Sequence, residues 1–205
     1  KAPNIVLEDA DIDAAAIGAV TGIFFNQGEV CTCPSRALVQ ESIYDKFMER
    51  VLKRVAAIKH QNPLDTDSMM GAQASKEQLT KILSYLEIAK GEGAELLTGG
   101  KVEKLTGDLA TGYYIQPTLL KGTNKMRVFQ EEIFGPVLVA MTFRTPEEAV
   151  RLANNTRYGL AASLWTNDLR RAHRVAAALD ADLLGHGDLH VIDSFTRPDR
   201  LDQHI

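Results

Sequence analysis

The sequence has few of the residues that mark disulfide-rich or metal-binding proteins. Its 205 residues include two cysteines and one tryptophan, and 6% of them are aromatic. The cysteines, Cys31 and Cys33, are separated by one residue, which is too close for an ordinary disulfide framework and differs from the two-residue spacing of zinc and thioredoxin-type motifs. We therefore expect reduced thiols, as in an intracellular protein.

Long apolar runs and an excess of basic charge are also missing. No run approaches the ~18 apolar residues of a membrane-spanning helix, and the first residues lack the charged and then apolar order of a signal peptide. The net charge is −4, and the basic residues are spread along the chain instead of clustered. We predict a cytoplasmic protein with neither a nucleic-acid partner nor a membrane partner.

What is present is a regular alternation of strand-like and helix-like segments. Short β-rich runs are expected at residues 4–7, 37–40, 94–98, 113–120, 137–143 and 160–166, with a further short strand at 189–192. Helix starts are predicted at Asp11, Ser42, Ser75, Thr145 and Asp168. The alternation predicts an α/β fold with a mainly parallel sheet and flanking helices.

The two ends of the chain differ from its middle. A strand begins within the first residues, without a preceding cap, and this favours a chain cut from something longer. After Leu179 the helical and strand periodicity fades. We therefore expect residues 1–179 to form the main domain and residues 180–205 to form a divergent tail.

Cys31 is the first candidate nucleophile. It follows an apolar helical segment and a polar turn that contains Gly28, and an extended segment comes after it. Such a junction can present a thiolate and nearby backbone N–H groups to a carbonyl carbon. Spacing alone leaves the alternative that both cysteines are small buried apolar residues.

A second candidate site lies in residues 129–137, which read FQEEIFGPV. Two carboxylates and Phe134 precede a Gly-Pro turn at the start of a strand, and irregular backbone beside a strand end is where α/β folds bind ligands. A carboxylate there could accept hydrogen bonds from ribose hydroxyls, and Phe134 could pack on a flat ring. Taken alone, the same residues also fit a purely structural turn.

The five histidines give no spacing that indicates a catalytic triad or a metal site. His186 and His190 are four residues apart, but Gly185 and Gly187 argue against the helix that would bring them together. No metal is predicted.

Four segments carry a family resemblance. Residues 1–6 (KAPNIV), 25–31 (FNQGEVC), 131–137 (EEIFGPV) and 153–161 (ANNTRYGLA) resemble, in this order and spacing, the NAD(P)-dependent aldehyde dehydrogenase superfamily. The residues around Cys31, together with 126–129 (MRVF), are most similar to bacterial acetaldehyde dehydrogenases. The resemblance covers residues 1 to about 179.

The resemblance implies roles for individual residues. Cys31 would attack the aldehyde to give a thiohemiacetal, which is oxidised to a thioester and then hydrolysed. Glu132 would hold the nicotinamide ribose of NAD, or of NADP, and Phe134 would pack near the nicotinamide. Gln78 and Lys81 match positions that approach the adenosine side, whereas Cys33 matches a variable, non-catalytic position.

The resemblance also implies that some catalytic parts lie outside this sequence. The glutamate that activates the hydrolytic water, the dinucleotide-binding half and the asparagine of the oxyanion hole have no counterpart here. We therefore expect the isolated chain to be inactive or nearly so. Two alternatives remain open, namely a non-enzymatic assembly module with a reactive thiol and a residual thiol esterase. Exposed apolar surface at both ends favours self-association or a homo-oligomer.

Overall fold

The computed structural model describes residues 1–186 and 192–193, and the strands of this part form one sheet. The strands are β1 (Pro3–Val6), β2 (Arg36–Gln40), β3 (Glu95–Thr98), β4 (Thr118–Lys121), β5 (Val137–Phe143), β6 (Ala161–Trp165), β7 (Leu183–His186) and β8 (Ile192–Asp193). The helices are α1 (Ile12–Phe24), α2 (Tyr44–Val55), α3 (Lys76–Gly91), α4 (Arg127–Gln130), α5 (Pro146–Asn154) and α6 (Leu169–Ala178).

The sheet is parallel except at its two ends. The strand order is β3-β4-β5-β2-β1-β6-β7-β8. The pairs β3–β4 and β7–β8 are antiparallel, and the five pairs between them are parallel. This arrangement confirms the predicted α/β fold with a mainly parallel sheet and flanking helices.

Helices cover both faces of the sheet, so its central strands are apolar on both sides. On β2, Ala37 and Val39 pack in one core cluster with α1 and α2, whereas Leu38 packs in another with α5 and α6. Val137 and Val139 of β5 join a third cluster with α3 and α4. The period-two alternation of each strand therefore divides its side chains between the two faces.

Most predicted helix starts are confirmed. Asp11, Ser75, Thr145 and Asp168 each accept a hydrogen bond from a backbone N–H in the first turn of α1, α3, α5 and α6. The start predicted at Ser42 is wrong, because residues 41–43 form a 3-10 turn and α2 begins at Tyr44 without a side-chain cap. The Ser42 hydroxyl instead donates to the Glu8 carboxylate at 3.1 Å.

One predicted strand is shorter than expected, and another lies mostly outside the described residues. Within residues 113–120 the ladder begins only at Thr118, because Pro117 has no N–H to donate and Ile115 makes only an isolated bridge to Val102. Of residues 189–192, only the last is described, at the start of β8. The others lie outside the described residues.

No helix in the described part combines the length and the apolar character needed to cross a membrane.

Candidate functional site

A cavity of about 120 Å³ lies at one end of the parallel strands. Most of its lining residues come from the segments just before four adjacent parallel strands, namely β1, β2, β5 and β6. They include Ala2, Cys31, Phe134 and Leu160. The cavity is therefore at the amino ends of the strands, whereas open α/β sheets usually bind ligands beyond the carboxyl ends.

The segment before β2, residues 26–33, is called the thiol turn here. Asn26 and Gln27 both have φ of 48°, and Gly28 has φ of 76°, so three successive residues are left-handed. For residues other than glycine this conformation costs about 1 to 2 kcal/mol each. Such a turn persists only where the surrounding structure fixes it.

The residues just before α3 supply this support. The backbone N–H of Ala74 donates to one carboxylate oxygen of Glu29 at 3.1 Å, and the amide of Gln27 donates to the other at 3.2 Å. The buried amide of Gln73 donates to the Gln27 carbonyl at 3.4 Å. The middle of the left-handed run, at Gln27, and the residue that follows the run, Glu29, are thus tied to one neighbouring segment.

The two cysteines have different environments. Cys31 is exposed and lines the cavity, whereas Cys33 is 7% exposed. Burial raises the pKa of the Cys33 thiol to about 11. Cys33 therefore stays protonated near neutral pH, and Cys31 is the thiol available for chemistry.

The segment before β5, residues 131–135, is called the glutamate turn here. Glu132 is exposed and Phe134 is half-buried, and both line the same cavity as Cys31. Phe134 has φ of 59°, another left-handed residue with a side chain. The Gln78 amide group donates to the carbonyl of Ile133 at 3.1 Å and also to that of Phe134.

Glu131 is fixed on the other side of the glutamate turn. Arg127 donates to both of its carboxylate oxygens at 2.8 Å, and the Tyr85 hydroxyl donates to one of them at 2.8 Å. These hydrogen bonds, first from Arg127 and then from Tyr85, lower the pKa of Glu131 to about 2. Glu131 is therefore ionised at every pH at which the protein would be assayed.

The two turns touch through their glycines. A Cβ atom added to Gly28 would lie 2.3 Å from the backbone carbonyl carbon and oxygen of Gly135. A Cβ atom on Gly135 would lie 2.4 Å from the Ile82 side chain of α3. The distance between Cys31 and the glutamate turn therefore depends on two positions that have no side chain.

A buried amine belongs to a residue that lines the cavity, Lys1. The Lys1 side chain is 9% exposed and its ammonium donates to the Val128 carbonyl. Burial, followed by the nearby Arg36 charge, lowers the pKa of this amine to about 7, while Glu132 acts in the opposite direction. Arg36 is fully buried and donates to the carbonyls of Lys1, Leu152 and Ala153.

Three of the five predicted site residues are brought together by the structure. Cys31, Glu132 and Phe134 line the same cavity. Gln78 and Lys81 lie on α3 and are not among the cavity's lining residues. The roles predicted for all five residues remain predictions.

Sequence reasoning missed Lys1, Tyr158 and Leu160 as lining residues of this cavity. The signal that could have indicated them is their place just before β1 and β6, the strands that flank each other in the sheet. Their segments do belong to the four motifs of the family resemblance. For metals, no group of three or more candidate ligand side chains occurs within residues 1–186 or 192–193.

Comparison with known sequences finds aldehyde dehydrogenases. The aldehyde dehydrogenase family model matches residues 1–194. Acetaldehyde dehydrogenase of Pseudomonas aeruginosa is 64% identical over 187 residues, which are 88% of this chain and 37% of that protein. Aldehyde dehydrogenase B of Escherichia coli K12 is 54% identical over 187 residues, or 88% of this chain and 36% of that protein. The chain thus spans little more than a third of these curated relatives.

Solved structures agree with the sequence matches. Betaine aldehyde dehydrogenase of Staphylococcus aureus, in complex with NAD+, is 41% identical with a TM-score of 0.89. The superposition covers 93% of this chain and 38% of that one. The family match over almost the whole chain, at this level of identity and structural similarity, shows that the chain belongs to the aldehyde dehydrogenase family.

Proposed function

We propose that the protein containing this chain oxidises short aliphatic aldehydes, such as acetaldehyde, to carboxylic acids with NAD. The observation that supports this proposal is the cavity that Cys31 lines together with Glu132 and Phe134. A nucleophile for the aldehyde and two side chains suited to a nucleoside are there within one small space. The acetaldehyde dehydrogenase relative and the NAD+ complex of the structural relative point to the same substrate and cofactor.

Cys31 supplies the covalent step. Its thiolate attacks the carbonyl carbon of the aldehyde, and a tetrahedral thiohemiacetal forms. The backbone N–H of Cys31 stabilises the developing oxyanion. After oxidation, the acyl group stays on the sulfur as a thioester until water hydrolyses it and releases the acid. Cys33, buried and protonated, takes no part in these steps.

Glu132 and Phe134, which line the same cavity, suit a bound dinucleotide. Glu132 is exposed and its carboxylate can accept hydrogen bonds from ribose hydroxyls, while the half-buried Phe134 offers a flat apolar surface to the nicotinamide ring. NAD, when bound, accepts the hydride that leaves the thiohemiacetal carbon. We propose Glu132 and Phe134 as cofactor-binding residues. NADP is the alternative cofactor, and Gln78 and Lys81 are the residues that the resemblance implies for contacts on the adenosine side.

The test is NADH formation from acetaldehyde by the complete protein that contains this chain. Replacement of the nucleophile by Cys31→Ala should lower kcat at least about a thousandfold, because the covalent route is then closed. Cys33→Ala is the matched control and should keep kcat within about threefold, because Cys33 also lines the cavity but is buried and protonated, and the change removes only a small side chain. Undiminished turnover by Cys31→Ala would overturn the proposal.

We also propose that the 205 residues alone do not turn over. General acid–base catalysis is worth about 10² to 10⁴ in rate, and the resemblance places the water-activating glutamate outside this sequence. NADH formation by the isolated chain that disappears with Cys31→Ala would contradict this. Acyl transfer from p-nitrophenyl acetate to Cys31 needs no cofactor and is the activity that the isolated chain could retain.

Self-association is proposed on the basis of exposed apolar side chains. Phe25 is 67% exposed and Leu169 is 53% exposed, and both are large enough to favour burial against another surface. Light scattering coupled to size exclusion would show a mass above that of one chain. A purely monomeric species at micromolar concentration would contradict this proposal.

A further inference from the structure

Every residue of the glutamate turn except Glu132 is held by a contact that does not involve the cavity. The Glu131 carboxylate is bound by Arg127 and Tyr85, and the carbonyls of Ile133 and Phe134 are bound by Gln78. Gly135 packs on Ile82. Glu132 lines the cavity together with Ile133, Phe134 and Gly135.

The backbone geometry explains how these contacts direct Glu132. Glu131 is extended, with φ of −109° and ψ of 151°. In extended backbone, successive side chains point to opposite sides. Fixing the Glu131 carboxylate against Tyr85 and Arg127 therefore directs Glu132 away from these residues and toward the cavity. Tyr85 and Arg127 can therefore orient Glu132 without contacting a ligand themselves.

Phe134 needs the same support for a different reason. Its left-handed φ of 59° is unfavourable for a residue with a side chain. The Gln78 amide has two N–H donors, and the two carbonyls that accept them lie on either side of this strained residue's Cα atom. These hydrogen bonds therefore stabilise the conformation that directs the Phe134 ring into the cavity.

Gln78 and Tyr85 are seven residues apart on α3, so they lie on the same face two helical turns apart. One face of a single helix thus contacts both ends of the glutamate turn. Arg127 completes the set from α4, and its guanidinium also lies 5.8 Å from the centre of the Tyr85 ring.

We propose that Gln78, Tyr85 and Arg127 are positioning residues that set the cofactor affinity of the site through Glu132 and Phe134. This inference rests on the proposed function, because it assigns cofactor binding to Glu132 and Phe134. It gives Gln78 a different role from the direct cofactor contact that the family resemblance implies. Tyr85 and Arg127 have no role in the sequence-based expectations.

The test compares Gln78→Ala, Tyr85→Phe and Arg127→Ala in the complete protein. Each should raise the KM for NAD about five- to tenfold, the effect of losing one hydrogen bond that orders a binding group. The KM for acetaldehyde and the rate of acyl transfer from p-nitrophenyl acetate should change less than about twofold, because both depend on Cys31 and not on the cofactor. Arg127→Lys, which keeps the charge without the bidentate geometry, should restore part of the affinity.

Two controls separate positioning from general structural damage. Thr80→Ala removes a side-chain hydrogen bond from the exposed part of α3, and Arg151→Ala removes an exposed ion pair on α5. Both should leave the KM for NAD unchanged. In the 205-residue chain itself, Gln78→Ala and Tyr85→Phe should speed amide hydrogen exchange in residues 131–137, but not in β2.

The outcomes distinguish this inference from the proposed function. If only Gln78→Ala raises the KM for NAD, Gln78 contacts the cofactor directly and the positioning role is wrong. If none of the three variants changes this KM while Cys31→Ala still abolishes turnover, the inference fails and the proposed function stands. If Cys31→Ala keeps full turnover, the proposed function fails whatever the three variants do.

Discussion

At the scale of single residues, Gly28 is a position that tolerates no side chain. It combines a left-handed φ of 76° with direct contact to the Gly135 backbone. Gly107 is also left-handed, with φ of 63°, but a Cβ atom there would meet nothing within 4 Å. The two glycines therefore separate the cost of the backbone conformation from the cost of the close approach.

We predict that Gly107→Ala lowers the free energy of unfolding by about 1 kcal/mol, the cost of a left-handed residue with a side chain. Gly28→Ala should cost at least ~2 kcal/mol more, because the new methyl group and the Gly135 carbonyl cannot both keep their places. Urea unfolding of the two variants measures the difference. Equal losses would show that the two turns can move apart.

The cysteines give a second prediction at this scale. With a pKa of about 11, only about one Cys33 thiol in a thousand is ionised at pH 8. Iodoacetamide at pH 8 should therefore label the exposed Cys31 first, and peptide mass spectrometry would locate the label. Labelling of Cys33 should rise about tenfold for each unit of pH up to about 11. Equal rates at pH 8 would contradict the burial of Cys33.

At the scale of elements, the hydrogen bonds at helix starts can be compared directly. Asp11 accepts from the N–H groups of Asp13 and Ala14 at 2.9 and 3.1 Å, whereas Ser42 only donates to an exposed carboxylate. Asp11→Ala should therefore cost about 1 kcal/mol of unfolding free energy. Ser42→Ala should cost less than ~0.5 kcal/mol. A loss as large for Ser42 as for Asp11 would restore the capping role that the sequence predicted.

Local signals explain why most elements were predictable from the sequence. Caps such as Thr145, with Pro146 at the first helical position, act through their nearest neighbours, and the buried stripes follow the helical period. Four residues are too few for any period, so α4 was missed. The antiparallel pairing of β3 with β4 depends on residues more than twenty positions apart, and no local pattern encodes it.

The site was predictable to a similar degree. Cys31, Glu132 and Phe134 belong to motifs whose order along the chain is visible, and the structure places them in one cavity. The contacts that hold them were not visible. The resemblance implies an adenosine-side role for Gln78, yet its amide donates to the carbonyls of Ile133 and Phe134, and that contact exists only after α3 has packed beside the glutamate turn.

At the scale of the whole molecule, the buried amine of Lys1 couples stability to pH. Its pKa is about 7 in the folded chain and about 10.5 when exposed, so the unfolded state binds more protons between these values. The free energy of unfolding therefore rises with pH above about 7. The slope can reach about 1 kcal/mol per pH unit.

Denaturant unfolding at pH 7, 8 and 9 would measure this slope. Lys1→Met keeps the length of the side chain and removes the titrating amine, so it should flatten the rise. A wild-type chain whose stability is constant or falls over this range would contradict the burial of the Lys1 ammonium.

The position of the cavity also makes the two ends of the parallel strands differ in how well they tolerate labels or inserted peptides. The segments at the carboxyl ends of the strands are closed by their own contacts: Asp9, after β1, accepts hydrogen bonds from Thr166, Asn167, Asp168 and Arg171. The length of a five-residue strand such as β2 separates the amino ends of the strands from the carboxyl ends by roughly 16 Å. Fluorescent labels or short inserted peptides at the exposed Glu41 or Arg144 would therefore report on the molecule without entering the space around Cys31. Modifications therefore belong at the carboxyl ends of the strands, and the segments at the amino ends should stay unchanged.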